Sequence, residues 1–232
     1  MRLSIMQPYF LPYLGYFQLI HASHMFVVYD DIKYTKKGWI NRNRFLRNGT
    51  DTIFSLPLKS ASDYTLIVER DLADNFDRQK LVRQIEGAYA KAPQFPSVMP
   101  LINEIVVFPD NNLFRYILHS LQSVCVYLDI ETPFRISSET PVSSKVRGRD
   151  KVIALCRHFE ADAYLNLSGG RDLYDKVDFR NQGLELQFIE MVDIAYPHAA
   201  GEFVPKLSVL DVLMNVGKAE IQERLLPAYV ID

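Results

Sequence analysis

Residues 3–29, LSIMQPYFLPYLGYFQLIHASHMFVVY, decide the fold. The first four residues of this stretch predict a short buried strand. Pro8 and Pro12 end the strand, because proline has no backbone N–H to donate to a sheet. Apolar residues then recur with helical spacing over residues 14–21, and the β-rich run 25–29 follows. Strand, helix and strand at this spacing predict a βαβ unit, and hence a parallel sheet with a right-handed crossover.

Strand and helix patterns alternate along the rest of the chain, which makes α/β the predicted fold class. The predicted helices span residues 77–89, 95–107, 113–128, 150–159 and 207–216, and the predicted strands span 52–58, 65–68, 132–138, 163–167 and 184–189. We therefore expect an open, mostly parallel, Rossmann-like sheet with flanking helices. We expect residues 1–232 to form a single α/β domain, with an N-terminal βαβ half that binds a nucleotide or sugar and a helical C-terminal half.

The composition excludes several classes of protein. The chain has 232 residues, and its formal net charge of −2 provides no global basic field for nucleic acid, so we do not expect nucleic acid as a partner. Two cysteines are too few for a disulfide scaffold or a cysteine-rich metal site. No run approaches the roughly 20 apolar residues of a membrane span, and the apolar start is too short for a signal peptide. We therefore expect a cytoplasmic protein.

The histidines do not predict a metal site. The chain has five of them, and they show no metal-ligand spacing with acidic residues or cysteines. His21 and His24 share a predicted helix face without a third ligand, and His198 follows a proline far along the chain. We expect these histidines to lie in the core or on the surface, and we assign no metal ligand.

Aromatic and polar residues fill the turn between the first strand and the first helix. Open α/β sheets bind ligands at such strand ends, where a helix N-terminus begins. Glycine lets a ligand approach closely, and tyrosine stacks on a base or sugar while its hydroxyl donates a hydrogen bond. The candidate binding residues in this turn are Gln7, Tyr9, Tyr13, Gly15 and Tyr16. In the alternative interpretation, the prolines shape the turn and the aromatic rings fill the core.

The acidic pair Asp30 and Asp31 follows the second predicted strand. A carboxylate at that strand end can bind a ribose hydroxyl, hold Mg²⁺ or act as a general base. The alternative is a solvated turn or a helix cap. We take both residues as candidate catalytic residues.

The run KKGWINRNR, residues 36–44, combines the single tryptophan with alternating Asn and Arg. In an extended segment the two Asn side chains share one face and the Arg side chains share the other. Arginine binds phosphate or carboxylate, and asparagine recognises hydroxyls and amides. The candidate binding residues are Trp39, Asn41, Arg42 and Asn43, which suit a nucleotide diphosphate or a sugar. The alternative is a solvated basic hairpin.

Two later loops also offer groups that bind anions. Ser168, Gly169 and Gly170 follow a predicted strand, and such a Gly pair can present a nest of backbone N–H groups. Residues 137–150 are rich in Ser, Lys and Arg and precede a predicted helix, which suits an anion at the helix N-terminus. A mobile basic loop is the alternative for the second segment.

Several motifs of the chain resemble the WbqC-like family. They are QPYFLPYLGYFQLI at residues 7–20, VYDD at 28–31, GWINRN at 38–43, YAKAPQF at 89–95, YL and SG at 164–165 and 168–169, and LSVLD at 207–211. The resemblance covers nearly the whole chain. It implies a bacterial protein of O-antigen or other surface-polysaccharide synthesis, which modifies an amino sugar, for example by transfer of glycine or another aminoacyl group.

A second, shorter likeness concerns the start of the first helix. The segment Tyr13-Leu14-Gly15-Tyr16 occupies the place of the His-x-Gly-His motif in nucleotidyltransferases. Tyrosine can hydrogen-bond phosphate but cannot become a cation, so the likeness supports a nucleotide-binding α/β fold more than an adenylyl-transfer reaction.

The leading hypothesis is a cytoplasmic transferase that adds an acyl or aminoacyl group, such as glycyl, to a nucleotide-linked amino sugar. Asp30 or Asp31 would deprotonate the attacking ammonium or hold a metal ion, and the backbone near Gly169 would stabilise an oxyanion or phosphate. The alternatives are an ATP-dependent ligase or nucleotidyltransferase, and a non-catalytic sugar-nucleotide-binding module. The expected partner is a nucleotide sugar or a similar anionic ligand. Participation of ATP, another activated acyl donor or Mg²⁺ stays open, as does a homo-oligomer.

Overall fold

The structure, a computed structural model, describes residues 1–192, 194–197 and 203–232. Its first three elements are strand β1 (Arg2–Met6), helix α1 (Leu14–Ala22) and strand β2 (Met25–Val28). The two strands pair in parallel, with Leu3 opposite Met25 and Met6 opposite Val28. The predicted βαβ unit is therefore confirmed.

The described residues place six strands in one sheet and two in a separate hairpin. The remaining strands are β3 (Arg42–Arg47), β4 (Thr50–Ser55), β5 (Phe134–Ile136), β6 (Ala163–Leu167), β7 (Glu185–Met191) and β8 (Tyr229–Ile231). The order across the sheet is β5-β2-β1-β6-β7-β8, and only the β7–β8 pair is antiparallel in it. The fold is α/β with an open, mostly parallel, Rossmann-like sheet, as the sequence predicts.

Local capping signals explain where several helices begin. The side chains of Asp77, Asn112 and Ser208 each accept a hydrogen bond from a backbone N–H in the first turn that follows. The further helices are α2 (Arg78–Tyr89), α3 (Phe95–Val107), α4 (Leu113–Tyr127), α5 (Gly148–His158), α6 (Lys176–Arg180), α7 (Val209–Asn215) and α8 (Lys218–Glu220). In the described part of the chain, no helix combines the length and apolar character that a membrane span requires.

Helices cover both faces of the sheet. In β2, Val27 belongs to one core cluster with Val152 of α5 and Phe179 of α6. Its neighbour Phe26 belongs to the other cluster, which includes Phe17 of α1. Successive side chains of a strand point to opposite faces, so a parallel strand covered on both sides is apolar throughout.

The β3–β4 hairpin lies in the long connection between β2 and β5, together with α2, α3 and α4. Its tip is Asn48 and Gly49, both with positive φ, at 51° and 73°. This geometry matches the right-handed twist of paired strands, and Asn-Gly is the residue pair that adopts it most readily. The pair is therefore a sequence signal for β3, which the strand predictions omit.

Some predicted elements differ from the structure. The strand predicted over residues 65–68 is wrong, since Ile67–Glu69 forms a 3-10 turn and only Leu66 makes an isolated bridge, to Lys33. The longest helices lie within residues 78–127, whereas the described residues between 134 and 231 alternate helices with four strands. The assignment of residues 1–232 to a single domain with two functional halves stays a prediction.

Candidate functional site

The carboxyl ends of five parallel strands meet at one edge of the sheet. The strands β2 and β5 lie on one side of β1, and the later strands β6 and β7 lie on its other side. The strand order therefore reverses between β1 and β6, which is where open α/β sheets bind ligands. Gln7, Asp30 and Ser168 follow β1, β2 and β6 at this edge.

A cavity of about 500 Å³ brings four of the predicted binding residues together. Tyr9 and Tyr13 come from the turn after β1, Trp39 from the loop before β3, and Asn43 from β3 itself. The volume lies within the range of small-molecule sites, roughly 300–1,000 Å³. The described residues that line it are Tyr9, Pro12, Tyr13, Trp39, Asn43, Arg44, Asp51, Ile53 and Lys206. We call it the aromatic cavity.

The hydroxyls of Tyr9 and Tyr13 are available to a ligand. Among the described residues, neither hydroxyl makes a hydrogen bond with the protein. Burial raises the pKa of Tyr9, and burial followed by the proximity of Tyr9 raises the pKa of Tyr13 to about 12. Both side chains therefore keep their protons at neutral pH and act as hydrogen-bond donors.

Tyr16 does not line the aromatic cavity but packs against Tyr9, which does. Its side chain is fully buried, and its hydroxyl donates a hydrogen bond of 2.8 Å to the carbonyl oxygen of Gln7. Its ring centroid lies 5.7 Å from that of Tyr9. Tyr16 thus has no surface for a ligand and fixes the position of Tyr9, while Gln7 contributes its main chain to this contact.

The loop that carries Trp39 is fastened by Arg42. The guanidinium of Arg42 donates hydrogen bonds to the carbonyl oxygens of Gly38 at 2.9 Å and Lys37 at 2.7 Å. It also lies 5.4 Å from the centre of the Trp39 ring. Because these contacts order the loop, the tryptophan is 44% exposed yet held in place. The Nε and Nη2 donors of Arg42 therefore bind carbonyl oxygens of its own loop and are not free for a ligand.

The two predicted asparagines connect segments of the protein. Asn41 accepts a hydrogen bond from the Tyr34 hydroxyl and donates to the carbonyl oxygen of Leu56, both at 2.7 Å. Asn43 is buried and donates at 2.8 Å to the carbonyl oxygen of Leu11. Asn43 borders the aromatic cavity, but its amide holds the turn after β1 against β3.

Two cations border the aromatic cavity. Arg44 pairs with Asp51 and donates a 2.7 Å hydrogen bond to the carbonyl oxygen of Pro205. Lys206 is exposed, and its ammonium has no partner among the described residues. Lys206 is therefore the cation best placed to meet an anionic ligand. No sequence pattern indicates it, because it enters the cavity from a distant part of the chain.

Side chains of the protein occupy the space beside Gly15 and Gly170. A Cβ on Gly15 would collide with the thioether of Met191 and the ring of Tyr13. A Cβ on Gly170 would collide with the amide of Asn166. The space beside each glycine is therefore filled by protein. Gly169 is exposed with open space around it, and Ser168 before it is half-buried.

Asp30 and Asp31 hold the loop after β5 against the end of β2. Asp30 accepts hydrogen bonds from the backbone N–H of Ser138 at 3.0 Å and from its hydroxyl at 2.6 Å. Asp31 accepts from the Ser137 hydroxyl at 2.6 Å and from the Lys151 ammonium at 2.8 Å. Burial raises the pKa of Asp30, while the hydrogen bonds from Ser138 oppose that rise.

These contacts decide which roles suit each carboxylate. Asp31 is already paired with the fully buried Lys151, so a dication beside that ammonium would be repelled. The donor set at this strand end therefore does not fit Mg²⁺. Within the described ranges, no cluster of three metal-binding side chains occurs, and His198 lies outside them. Neither Asp30 nor Asp31 lines the aromatic cavity.

A wider groove of about 780 Å³ lies at the start of α5. It contains Arg147 and Arg149 from the predicted anion-binding loop, together with several aspartates. Arg149 already pairs with Asp178 and Asp150. Because aspartates line the groove beside these arginines, the groove attracts anions less than the basic sequence of the loop predicts.

Comparison with known proteins finds one similar protein and one matching family. The chain is 26% identical over 219 residues to a protein described as uncharacterized protein Rv1507c from Mycobacterium tuberculosis (strain ATCC 25618 / H37Rv), covering 93% of this chain and 94% of that protein. No solved structure matches the chain. The model of the WbqC-like protein family matches residues 7–223, a range that begins directly after β1, contains α1 through α8 and ends before β8. On this match over most of its length, the chain belongs to the WbqC-like protein family.

Proposed function

We propose that this protein is a transferase that joins an acyl or aminoacyl group, such as glycyl, to a nucleotide-linked amino sugar in bacterial surface-polysaccharide (O-antigen) synthesis. The observation that carries the proposal is the aromatic cavity of about 500 Å³, which is lined by Lys206 and by two tyrosines whose hydroxyls have no hydrogen-bond partner among the described residues. The reaction class follows from what the family resemblance implies.

The walls of the aromatic cavity suit the parts of such a ligand. The faces of Tyr9, Tyr13 and Trp39 provide stacking surfaces for a base or a sugar ring. The tyrosine hydroxyls donate hydrogen bonds to sugar hydroxyls or phosphate oxygens. Lys206 supplies a positive charge for the phosphates. Because Arg44 is paired with Asp51, Lys206 is the main source of anion affinity in this proposal.

Of the two carboxylates, we assign the general base to Asp30, which does not line the aromatic cavity, so the amine of the bound sugar must extend beyond that cavity to reach it. An ammonium must lose a proton before its nitrogen can attack an acyl carbon, and a carboxylate with a raised pKa accepts that proton more readily. The exposed Ser138 donates to Asp30, so its hydroxyl can pass a proton from the amine to the buried carboxylate. Asp31 is neutralised by Lys151 and acts in positioning the loop.

The single tryptophan provides a direct test of binding. Trp39 lines the aromatic cavity and is the only tryptophan of the chain, so a ligand that enters should change the intrinsic fluorescence. We expect UDP-linked amino sugars to change it saturably and to raise the melting temperature, because a ligand that binds only the native state stabilises it. Tyr13→Phe should weaken that binding, whereas Tyr127→Phe on α4 serves as the control. Absence of both signals across a panel of nucleotide-linked amino sugars would refute the proposal.

A sugar-nucleotide-binding module without turnover is the second candidate. The observation that favours it is that the oxygens of Asp30 and Asp31 are all engaged by protein donors. Mass spectrometry of a bound amino sugar incubated with activated glycine separates the two functions. Formation of the glycyl amide, slowed about 10²–10⁴-fold by Asp30→Asn, supports the transferase. Tight binding without product supports the module.

A further inference from the structure

Arg70 carries a buried positive charge that forms no ion pair with any of the described residues. Its side chain is only 4% exposed. Its Nε and Nη2 atoms are inaccessible to solvent and have no hydrogen-bond partner among the described residues. A buried guanidinium without an acceptor is costly, so proteins normally pair it with a carboxylate or backbone carbonyl. The unsatisfied donors of Arg70 therefore indicate a missing acceptor.

The position of the Arg70 guanidinium is fixed. It lies 4.5 Å from the centre of the Tyr34 ring, and the Tyr34 hydroxyl is held at 2.7 Å by Asn41. Its own backbone N–H donates to Ile67 at 3.1 Å, and its carbonyl oxygen accepts from Leu113 at 2.8 Å. A guanidinium that lies on a fixed ring and is carried by a hydrogen-bonded backbone is a preorganised donor for an oxyanion.

Further positive charge surrounds Tyr34. Arg70, Arg42 and Lys36 each act to lower the pKa of the Tyr34 hydroxyl, although burial raises it overall. The three cations therefore lie within electrostatic range of one hydroxyl. Arg42 is committed to its own loop, which leaves Arg70 and Lys36 as the groups able to meet an anion.

Asp63 is the acidic residue next to these cations. It pairs with Lys36 at 2.6 Å, but both side chains are largely exposed, at 67% and 70%. Lys36, and to a smaller extent Arg70, lower the pKa of Asp63. Exposed ion pairs of this kind contribute little stability, so a ligand can displace the Asp63 side chain at little cost.

We propose that Arg70 and Lys36 form a binding site for a phosphate-class oxyanion, with the Tyr34 ring positioning the guanidinium. The oxyanion takes the place of Asp63 beside Lys36 and satisfies the guanidinium of Arg70, whose Nε and Nη2 it reaches only when the groups that cover them move aside. A guanidinium binds such an oxyanion through two parallel hydrogen bonds, and two cations suit a dianion better than a monocarboxylate. The site is separate from the aromatic cavity, because Tyr34, Lys36, Asp63 and Arg70 do not line that cavity. It does not depend on the proposed transferase activity.

Isothermal titration calorimetry with pyrophosphate and with inorganic phosphate tests the site, and acetate serves as the carboxylate ligand for comparison. We expect Arg70→Met to lower phosphate affinity about 10- to 100-fold, because one or two charge-assisted hydrogen bonds to the phosphate are lost. Asp63→Asn should raise the affinity, because it removes the competing carboxylate. Arg83→Met, which removes an exposed arginine on α2 with the same change of net charge, should leave it unaltered.

Three results would overturn the proposal: equal phosphate affinity in Arg70→Met and the wild type, no tightening in Asp63→Asn, or acetate binding as strongly as phosphate. Asp63 is exposed, so its variant keeps the test valid even if Arg70→Met fails to fold. The melting temperature without phosphate provides a second measurement. If the charge of Arg70 is unsatisfied, Arg70→Met melts no lower than the wild type, and phosphate stabilises only the wild type.

Discussion

The ammonium of Lys151 lies 2.8 Å from Oδ2 of Asp31, and both side chains are buried. Lys151 also donates to the carbonyl oxygen of Val142 at 2.9 Å. These bonds join the start of α5 to the end of β2 across the loop after β5. The pair therefore fixes the carboxyl edge of the sheet, where Asp30 and Ser138 meet.

Removal of Lys151 should destabilise the protein strongly. Lys151→Met leaves the Asp31 carboxylate buried without its cation, and such a loss typically costs about 3–5 kcal/mol. Asp31→Asn combined with Lys151→Met removes both charges and should recover part of that loss. Urea unfolding of the single and double variants measures both effects. A single Lys151→Met that unfolds at the wild-type urea concentration would contradict the role assigned to the pair.

Gly15→Ala should destabilise the protein by about 1–3 kcal/mol, because the added methyl group overpacks the contact with Met191 and Tyr13. Met191→Ala in the same chain removes the obstacle and should reduce the penalty of Gly15→Ala. Gly169→Ala is the matched control, since its added Cβ meets open space. Equal effects of the two glycine substitutions on the free energy of unfolding would refute this explanation.

Tyr13 should make the protein lose stability at alkaline pH. Its pKa is raised from 10.0 to about 12, first by burial and then by Tyr9. The unfolded chain therefore releases this proton first as the pH rises above 10, so this contribution to stability is complete below pH 10 and is lost toward pH 12. Urea unfolding across this window should show a shallower loss in Tyr13→Phe than in the wild type. Parallel curves for the two proteins would contradict the prediction.

Lys206→Gln should lower the affinity for a UDP-linked amino sugar about 10-fold, because a charge-assisted hydrogen bond to phosphate is lost. Added salt should weaken wild-type binding more than binding by the variant, since salt screens an exposed charge. Fluorescence of Trp39 measures both affinities, and Lys80→Gln on α2 is a charge-matched control. If the two variants bind alike, the phosphates of the ligand do not lie at Lys206.

Local signals predicted much of the fold. Apolar periodicity located α1 to α5 and α7, and capping side chains such as Asp77 set where helices begin. The β-rich run at 65–68 misled the prediction, because its backbone donors bond to loop carbonyls. Ile67 donates to Ile32 at 2.9 Å and Val68 to Asp30 at 3.2 Å, instead of to a paired strand. A high β-propensity means that a residue fits the surface of a sheet. It does not show that a partner strand lies beside it.

The sequence by itself determined the βαβ start, the class of the sheet and the candidate residues that could contact a ligand. Only the tertiary structure decided which of them share a site: Tyr9, Tyr13 and Trp39 meet in one cavity, whereas Tyr16 is buried behind it. It also brought Lys206 to that cavity and paired Asp31 with Lys151 across 120 positions. The physical reason is that periodicity and capping act within a few residues, whereas side chains distant in sequence meet only through the packing of strands and helices.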